Sequence, residues 1–180
     1  HAAEMPKTVA AEKLSELVTD YPWETIKTEL NNLAKKKASK HDVLRFIAAP
    51  ARLEFLTALA IKSQLPEVTV IPNYTCDDEG LPTSTARGNV GDIECYERQN
   101  GVLVEVTMAE GRQQTVMVVW PIERHLSDFL HKVEPGDAQC IFVAPTIYGD
   151  TERQISFVRY MEQASGIFRL PLESTRENYR

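Results

Sequence analysis

Long hydrophobic runs and closely spaced cysteine pairs are both missing from this 180-residue sequence. No apolar run approaches the roughly 18 residues that a transmembrane helix needs, so we expect no membrane partner. The three cysteines, Cys76, Cys95 and Cys140, are far apart and form no CxxC motif, which argues against a disulfide framework or a zinc site. Together with the absence of a secretory signal, this predicts a protein of the reducing cytoplasm.

An excess of positive charge is also missing. The chain has 20 Lys and Arg residues against 26 Asp and Glu residues, a net charge of −6 at pH 7. This balance argues against an autonomous, strongly basic nucleic-acid binder. If the protein meets DNA, we expect another domain or subunit to supply much of the affinity.

Two segments of alternating apolar and polar residues, 91–97 and 102–107, stand out in what is present. A short polar segment with an Asn-Gly pair separates them, which predicts a β-hairpin. Because side chains alternate faces along a strand, the hairpin can gather carboxylates on one face. The polar side chains predicted there are Asp92, Glu94, Glu105 and Thr107.

The length of the hairpin loop decides which of these acids meet. A two-residue Asn100-Gly101 turn would leave Asp92 and Glu105 roughly 13 Å apart. A four-residue loop over 98–101 instead sets Glu94 opposite Glu105 and makes Asp92 a diagonal neighbour of Glu105, about 5.5 to 8 Å away. We therefore predict the longer loop.

Acids that share one hairpin face repel one another, which costs free energy unless a proton or cation neutralises them. Mg²⁺, with Mn²⁺ as a substitute, suits such a group because it binds a few carboxylates and presents its waters to a phosphate. Asp92 and Glu105 are the candidate ligands, with Glu94 in reserve. The alternative is a solvated hairpin face that binds no metal.

Helical patterns precede the hairpin and predict an N-terminal helical segment, residues 1–50, that packs on a core of residues 51–180. The core begins with a strongly apolar helix over 51–65. Glu54 lies inside that helix, and it either faces solvent at a polar edge or is paired in the interior. A short strand over 68–71 and a long polar connection over 73–90 follow.

The pattern after the hairpin predicts alternating strands and helices. With the hairpin, this order predicts an α/β fold whose mixed central β-sheet contains a three-strand meander and is flanked by helices. An apolar strand that follows a helix is typical of a parallel strand buried on both faces. The predicted elements are a third strand over 114–120, a helix over 122–133, an apolar strand over 138–144, a helix ending at Ser165 and a last strand over 167–172.

Five short segments, in this order, carry a resemblance to a known family. They are residues 52–59, 91–94, 103–107, 123–126 and 142–145. This order resembles the restriction-endonuclease-like PD-(D/E)XK nuclease core and, more specifically, the cleavage domain of the AlwI-type family of type IIS restriction endonucleases, which includes strand-nicking relatives.

The resemblance implies that Asp92 and Glu105 are metal ligands, that Glu54 belongs to the same acidic cluster and that His125 lies close to the reaction. Mg²⁺ held by the carboxylates would orient a water and neutralise the charge on the attacked phosphodiester. His125 would accept the proton of that water or hold the phosphate. The alternative is a structural histidine on an amphipathic helix.

Two candidate positions depart from the family pattern. The nuclease pattern carries Lys two residues after the second acid, where this sequence has Thr107, so another residue, such as His125, must activate the water. Relatives also place a further carboxylate on the third strand, where this chain has Val118. Fewer acids are then left for a second metal.

We therefore predict a Mg²⁺-dependent endonuclease domain that hydrolyses double-stranded DNA within a type IIS restriction or nicking enzyme. A separate DNA-recognition domain or subunit would select the target. One domain holds one active site, so cutting both strands requires a second copy or a different subunit. The alternatives are a catalytically attenuated scaffold or assembly subunit and a globular domain with no nucleic-acid role.

Overall fold

A four-stranded mixed sheet is the centre of the computed structural model, which describes residues 8–133 and 136–165. Its strand order is β1-β4-β5-β6, in which β1, β4 and β5 are antiparallel and β6 is parallel to β5. The connection between β1 and β4 forms a separate two-stranded sheet. The strands are β1 Thr69–Pro72, β2 Thr75–Cys76, β3 Pro82–Ser84, β4 Ile93–Glu97, β5 Asn100–Val106 and β6 Ala138–Val143.

Helices cover both faces of this sheet. Val70, Ile93 and Val104 point to the face covered by the first three helices, while Leu103 and Cys140 point to the fourth helix. The mixed α/β sheet flanked by helices is therefore confirmed. The helices are α1 Val9–Asp20, α2 Trp23–Ala34, α3 Ala49–Gln64, α4 Gly111–Val133 and α5 Gly149–Ser165, with a 3-10 turn over Leu44–Phe46.

The N-terminal helices share one hydrophobic core with the sheet. Leu14 of α1 and Ile26 of α2 are fully buried in the same cluster as Phe55 of α3 and Ile93 of β4. Burial of this kind, at about 1.5 to 3 kcal/mol for each large apolar side chain, fixes these helices on α3. The division into a 1–50 segment and a 51–180 catalytic core stays a prediction.

The predicted four-residue hairpin loop is wrong. The turn contains only Arg98 and Gln99, because Glu97 already pairs with Asn100. Arg98 adopts a left-handed φ of 56°, which suits a tight two-residue hairpin turn. Glu94 therefore faces Leu103, not Glu105. The register differs from the predicted one by two residues, an even number, so each side chain keeps its predicted face.

The predicted third strand over 114–120 is also wrong, since these residues belong to the long helix α4. The β-branched and aromatic residues of this segment favoured a strand, but an exposed helix face accommodates them: Val116 and Trp120 are 74% and 64% exposed. Pro121, which marks a boundary in the sequence, lies inside the helix. The meander of the sheet is thus formed by β1, β4 and β5.

Some predictions fall outside what the structure describes. The last strand over 167–172 lies in residues that are not described, and the side chain of Val118 is not described, although its backbone is part of α4. The apolar strand β6 is parallel to β5 as predicted, but among the described residues it is an edge strand, and Ile141 is 46% exposed. Burial on both of its faces is therefore wrong for the part of the chain that the structure describes.

None of the described helices is long and apolar enough to cross a membrane.

Candidate active site

Asp92 and Glu105 come together at the end of the hairpin opposite its turn. Ile93 pairs with Val104, so continuing this register by one residue sets Asp92 opposite Glu105. The backbone N–H of Val106 donates a 2.7 Å hydrogen bond to Asp92 Oδ2, which fixes one carboxylate oxygen. The two acids are thus closer than the sequence predicted, because directly opposite residues are nearer than diagonal ones.

Gly91 makes this approach possible. A Cβ atom at this position would lie 2.9 Å from Glu105 Oε1 and 2.3 Å from Leu103 Cδ1. A larger residue would therefore push Glu105 or Leu103 away from the start of β4. Glycine therefore lets the ends of the Leu103 and Glu105 side chains lie directly against the start of β4.

Glu54 is the third acid of this region, and it is buried. It is 4% exposed, so the alternative of a solvated glutamate on the edge of α3 is wrong. Its Oε2 accepts a 2.9 Å hydrogen bond from the backbone N–H of Ala86. One backbone donor compensates little for burying a full negative charge.

Burial and the charge of Glu105 raise the pKa values of both Asp92 and Glu54. Burial, with repulsion from Glu105 and then Glu54, raises the pKa of Asp92 to about 8. Burial raises the pKa of Glu54 to about 7, with a further contribution from Glu105. Among the described residues, no Lys or Arg forms an ion pair with Asp92 or Glu54. A cation bound at this site would therefore relieve the repulsion among the carboxylates.

His125, on α4, contacts the same cluster. Its Nδ1 lies 2.9 Å from Glu105 Oε1, and its Nε2 lies 3.4 Å from the carbonyl oxygen of Gly88. Both neighbours are acceptors, so the ring satisfies both contacts only when each nitrogen carries a proton. The hydrogen bond to Glu105 accordingly raises the pKa of His125. This arrangement favours a charged His125 that orients Glu105, and it leaves neither nitrogen free to accept a proton from water.

Glu94, the predicted reserve ligand, does not line the cleft. It is 4% exposed, and its carboxylate accepts a 2.6 Å hydrogen bond from the hydroxyl of Tyr96 and a 2.5 Å contact from Lys132 Nζ. Asn73 Nδ2 lies 3.5 Å from the same group. Its charge is therefore already neutralised by side chains of the sheet and α4.

A cleft of about 240 Å³ opens over the carboxylate pair. Thr107 lines it, and the Oγ1 of Thr107 accepts a 3.0 Å hydrogen bond from the N–H of Ala109. The sequence did not single out the segment around Arg87 or the apolar residues of α4, because their approach to the acids depends on the long-range contacts of Ala86 with Glu54 and of Gly88 with His125. The lining residues comprise the 86–88 segment, Val90, Asp92, Glu105 to Thr107, Ala109, Met117, Pro121, Ile122, His125 and Phe142.

The donor set fits a hard divalent cation held by few protein ligands. Asp92 has an oxygen without a backbone partner, and its neighbours supply repulsion that a cation would relieve. Within residues 8–133 and 136–165, no three His, Cys, Asp or Glu side chains converge closely enough to form a complete metal cage. Mg²⁺ tolerates this, since it keeps several of its waters. The expectation that Glu54 joins Asp92 and Glu105 as a direct ligand stays a prediction.

The fold is similar to that of a solved restriction enzyme subunit. The chain aligns with the small subunit (R.BspD6I2) of the heterodimeric restriction endonuclease R.BspD6I at a TM-score of 0.55 and 19% identity. The alignment covers 86% of this chain and 78% of that subunit. A comparison with curated proteins found no match.

The sequence itself matches a family profile over nearly its whole length. The profile of the AlwI restriction endonuclease family covers residues 4–169, which include α3, the hairpin, α4 and every acid of the cleft. The fold, the paired carboxylates and this match agree, and the chain belongs to the AlwI restriction endonuclease family.

Proposed function

We propose that this chain is a metal-dependent endonuclease domain that hydrolyses phosphodiester bonds of double-stranded DNA with a PD-(D/E)XK type of site. The observation that carries the proposal is the pair of the partly buried Asp92 and the buried Glu105, which faces an open cleft where no described Lys or Arg pairs with Asp92. Family membership supports a nuclease role for such a pair.

Asp92 and Glu105 would hold one Mg²⁺ between them, with Glu54 behind them as an acid that adds negative charge. When bound, the ion would neutralise charge on the attacked phosphodiester and lower the pKa of a water. In the absence of metal, repulsion between the carboxylates destabilises the folded protein. A bound cation would relieve this repulsion, which favours cation binding.

His125 and the apolar wall prepare the site in this proposal. The charged ring of His125 would hold Glu105 in one orientation through the 2.9 Å Nδ1 contact. Met117, Ile122 and Phe142 also line the cleft and would exclude bulk water around the phosphodiester. Thr107 would contribute a hydroxyl but no charge.

The partners proposed for this chain are duplex DNA and a separate recognition domain or subunit. The net charge of −6 supports this, because the chain by itself offers little attraction to the phosphate backbone. The similar solved chain is the small subunit of a heterodimeric restriction endonuclease, which supports a second nuclease copy or subunit for cutting the other strand.

The test is a nicking assay on supercoiled plasmid with Mg²⁺ or Mn²⁺. We expect wild-type protein to convert the plasmid to the open-circular form, EDTA to stop the reaction and Asp92→Asn to abolish it. Glu97→Gln, which removes an exposed charge from the same strand, is the matched control and should nick normally. Equal activity of wild type and Asp92→Asn would reject the proposed site.

A further inference from the structure

A single arginine lies at the mouth of the acidic cleft. Arg87 belongs to the segment between β3 and β4, and this segment lines the same cleft as Asp92 and Glu105. Of the described lining residues, Arg87 is the one Arg or Lys. Thr107 occupies the position where the nuclease pattern carries a lysine, so the strand itself supplies no cation.

The backbone around Arg87 is tied to the acidic site on both sides. The N–H of Ala86 donates a 2.9 Å hydrogen bond to Glu54 Oε2, and the carbonyl oxygen of Gly88 lies 3.4 Å from His125 Nε2. The N–H of Val90 donates to the carbonyl oxygen of Arg87 itself, at 3.1 Å, and closes the turn. The Cα of Arg87 is thus held between one residue of α3 and one of α4.

The side chain of Arg87 is exposed, and none of the carboxylates that the structure describes forms an ion pair with it. An unpaired guanidinium beside an acidic cleft remains available to an anionic ligand. Its planar fork of N–H donors matches two oxygens of one phosphate, which a lysine ammonium cannot do.

We propose that Arg87 binds the DNA phosphodiester at the mouth of the cleft and replaces the lysine that is missing at position 107. This inference rests on the proposed nuclease function and extends it to a further phosphate-binding residue. The 86–88 segment positions the guanidinium, and the phosphate then lies between Arg87 and the Asp92 and Glu105 pair.

The first measurement is the salt dependence of DNA binding. Binding is measured by fluorescence anisotropy of a labelled duplex in Ca²⁺. The slope of log K against log salt is negative, and removing one phosphate contact makes its magnitude smaller by about 0.9. We expect this decrease for Arg87→Gln. The matched control is Arg98→Gln at the hairpin turn, roughly 20 Å along β4 from Asp92, and it should keep the wild-type slope.

The second measurement is plasmid nicking by the same variants. We expect Arg87→Gln to nick about 10²-fold more slowly than wild type, the loss typical of removing one donor from developing negative charge. Thr107→Lys should restore part of the rate in the Arg87→Gln background. Arg87→Lys, which keeps the charge, should retain the wild-type salt slope and lose only part of the rate, and a wild-type melting curve for each variant excludes unfolding.

The outcomes separate the two proposals. If wild type nicks plasmid and Arg87→Gln matches it in both rate and salt slope, Arg87 does not bind the phosphate and the nuclease function stands. If wild type does not nick plasmid at low salt even at saturating protein and Mg²⁺ or Mn²⁺ concentrations, the nuclease function is rejected, and the role of Arg87 with it.

Discussion

Asp92 and Glu105 lie opposite each other at the open end of the β4 and β5 hairpin, close enough for their carboxyl groups to share a proton. Burial and this proximity raise the pKa of Asp92 to about 8, so at neutral pH the pair holds a proton that a metal ion would replace. The predictions below follow from this exchange of a proton for a cation.

The stability of the metal-free protein should fall as pH rises from about 4 to 8. The folded-state pKa values of Asp92 and Glu54, about 8 and about 7, exceed their ordinary values of 3.8 and 4.5. In this window the folded state binds more protons than the unfolded state, so the free energy of unfolding decreases with pH. His125, whose pKa is also raised, adds a loss of stability as pH passes its folded value.

Thermal melts in EDTA across this range measure the effect. Asp92→Asn should reduce the pH dependence and leave the melting temperature near pH 8 unchanged or raised, because one partly buried charge and its repulsion are removed. Glu97→Gln, an exposed acid on β4, should keep the wild-type profile. A wild-type protein whose stability rises between pH 5 and pH 8 would contradict the placement of these acids.

Metal binding should release protons. Since the pKa of Asp92 is about 8, most molecules must lose the shared proton near pH 7 before a cation can take its place. Calorimetric titration with Mg²⁺ or Mn²⁺ in buffers of different ionisation enthalpy should therefore show release of roughly one proton per ion and an affinity that increases with pH. Binding that is independent of pH between 6 and 8 would place the ion elsewhere.

Substitution of His125 distinguishes an orienting residue from a general base. If the charged ring orients Glu105, His125→Ala should slow nicking by about 10²-fold and weaken metal binding about 10-fold or more, as loss of a residue behind a ligand does. At saturating Mg²⁺, the wild-type nicking rate should then show no decrease as the pH drops through about 6.5. A rate that falls as pH drops through about 6.5, with metal affinity intact in His125→Ala, would instead identify the general base that the sequence predicted.

Glu94 should prove structural. Its carboxylate is neutralised by Lys132 and accepts a hydrogen bond from Tyr96, so Glu94→Gln should lower the free energy of unfolding by about 1 to 3 kcal/mol. The half-exposed ammonium of Lys132 can return to water, which keeps the cost moderate. Denaturant unfolding gives this value, and calorimetry should show wild-type Mg²⁺ affinity. A Glu94→Gln variant that folds stably but binds no metal would instead show that Glu94 is a metal ligand.

The sequence predicted the face of each acid but not the register. Alternation along β4 and β5 places Asp92 and Glu105 on the same face in any register that differs from the predicted one by an even number of residues. The predicted face was therefore correct although the predicted turn was wrong. The turn itself depends on Arg98 adopting a left-handed conformation, which the Asn100-Gly101 pair, the stronger turn signal, concealed.

Two other features required tertiary information. The segment over 114–120 has the composition of a strand, yet Gln114 is fully buried at the start of α4, and its side chain donates to the carbonyl oxygens of Ala109 and Thr146. Long-range contacts of this kind override local propensity. The approach of Arg87 to the cleft depends on hydrogen bonds made by its two neighbours to residues that are 32 and 37 positions away in the sequence. No local sequence pattern indicates such contacts.

The most direct measurement is anomalous diffraction from crystals of the wild-type protein soaked in Mn²⁺. The proposed site predicts one peak between the carboxylates of Asp92 and Glu105, at about 2.0 to 2.2 Å from an oxygen of each, with water completing the coordination. It also predicts that the peak disappears in crystals of Asp92→Asn. No peak at saturating Mn²⁺, or a peak that leaves Asp92 and Glu105 untouched, would contradict a metal-dependent nuclease site at this pair.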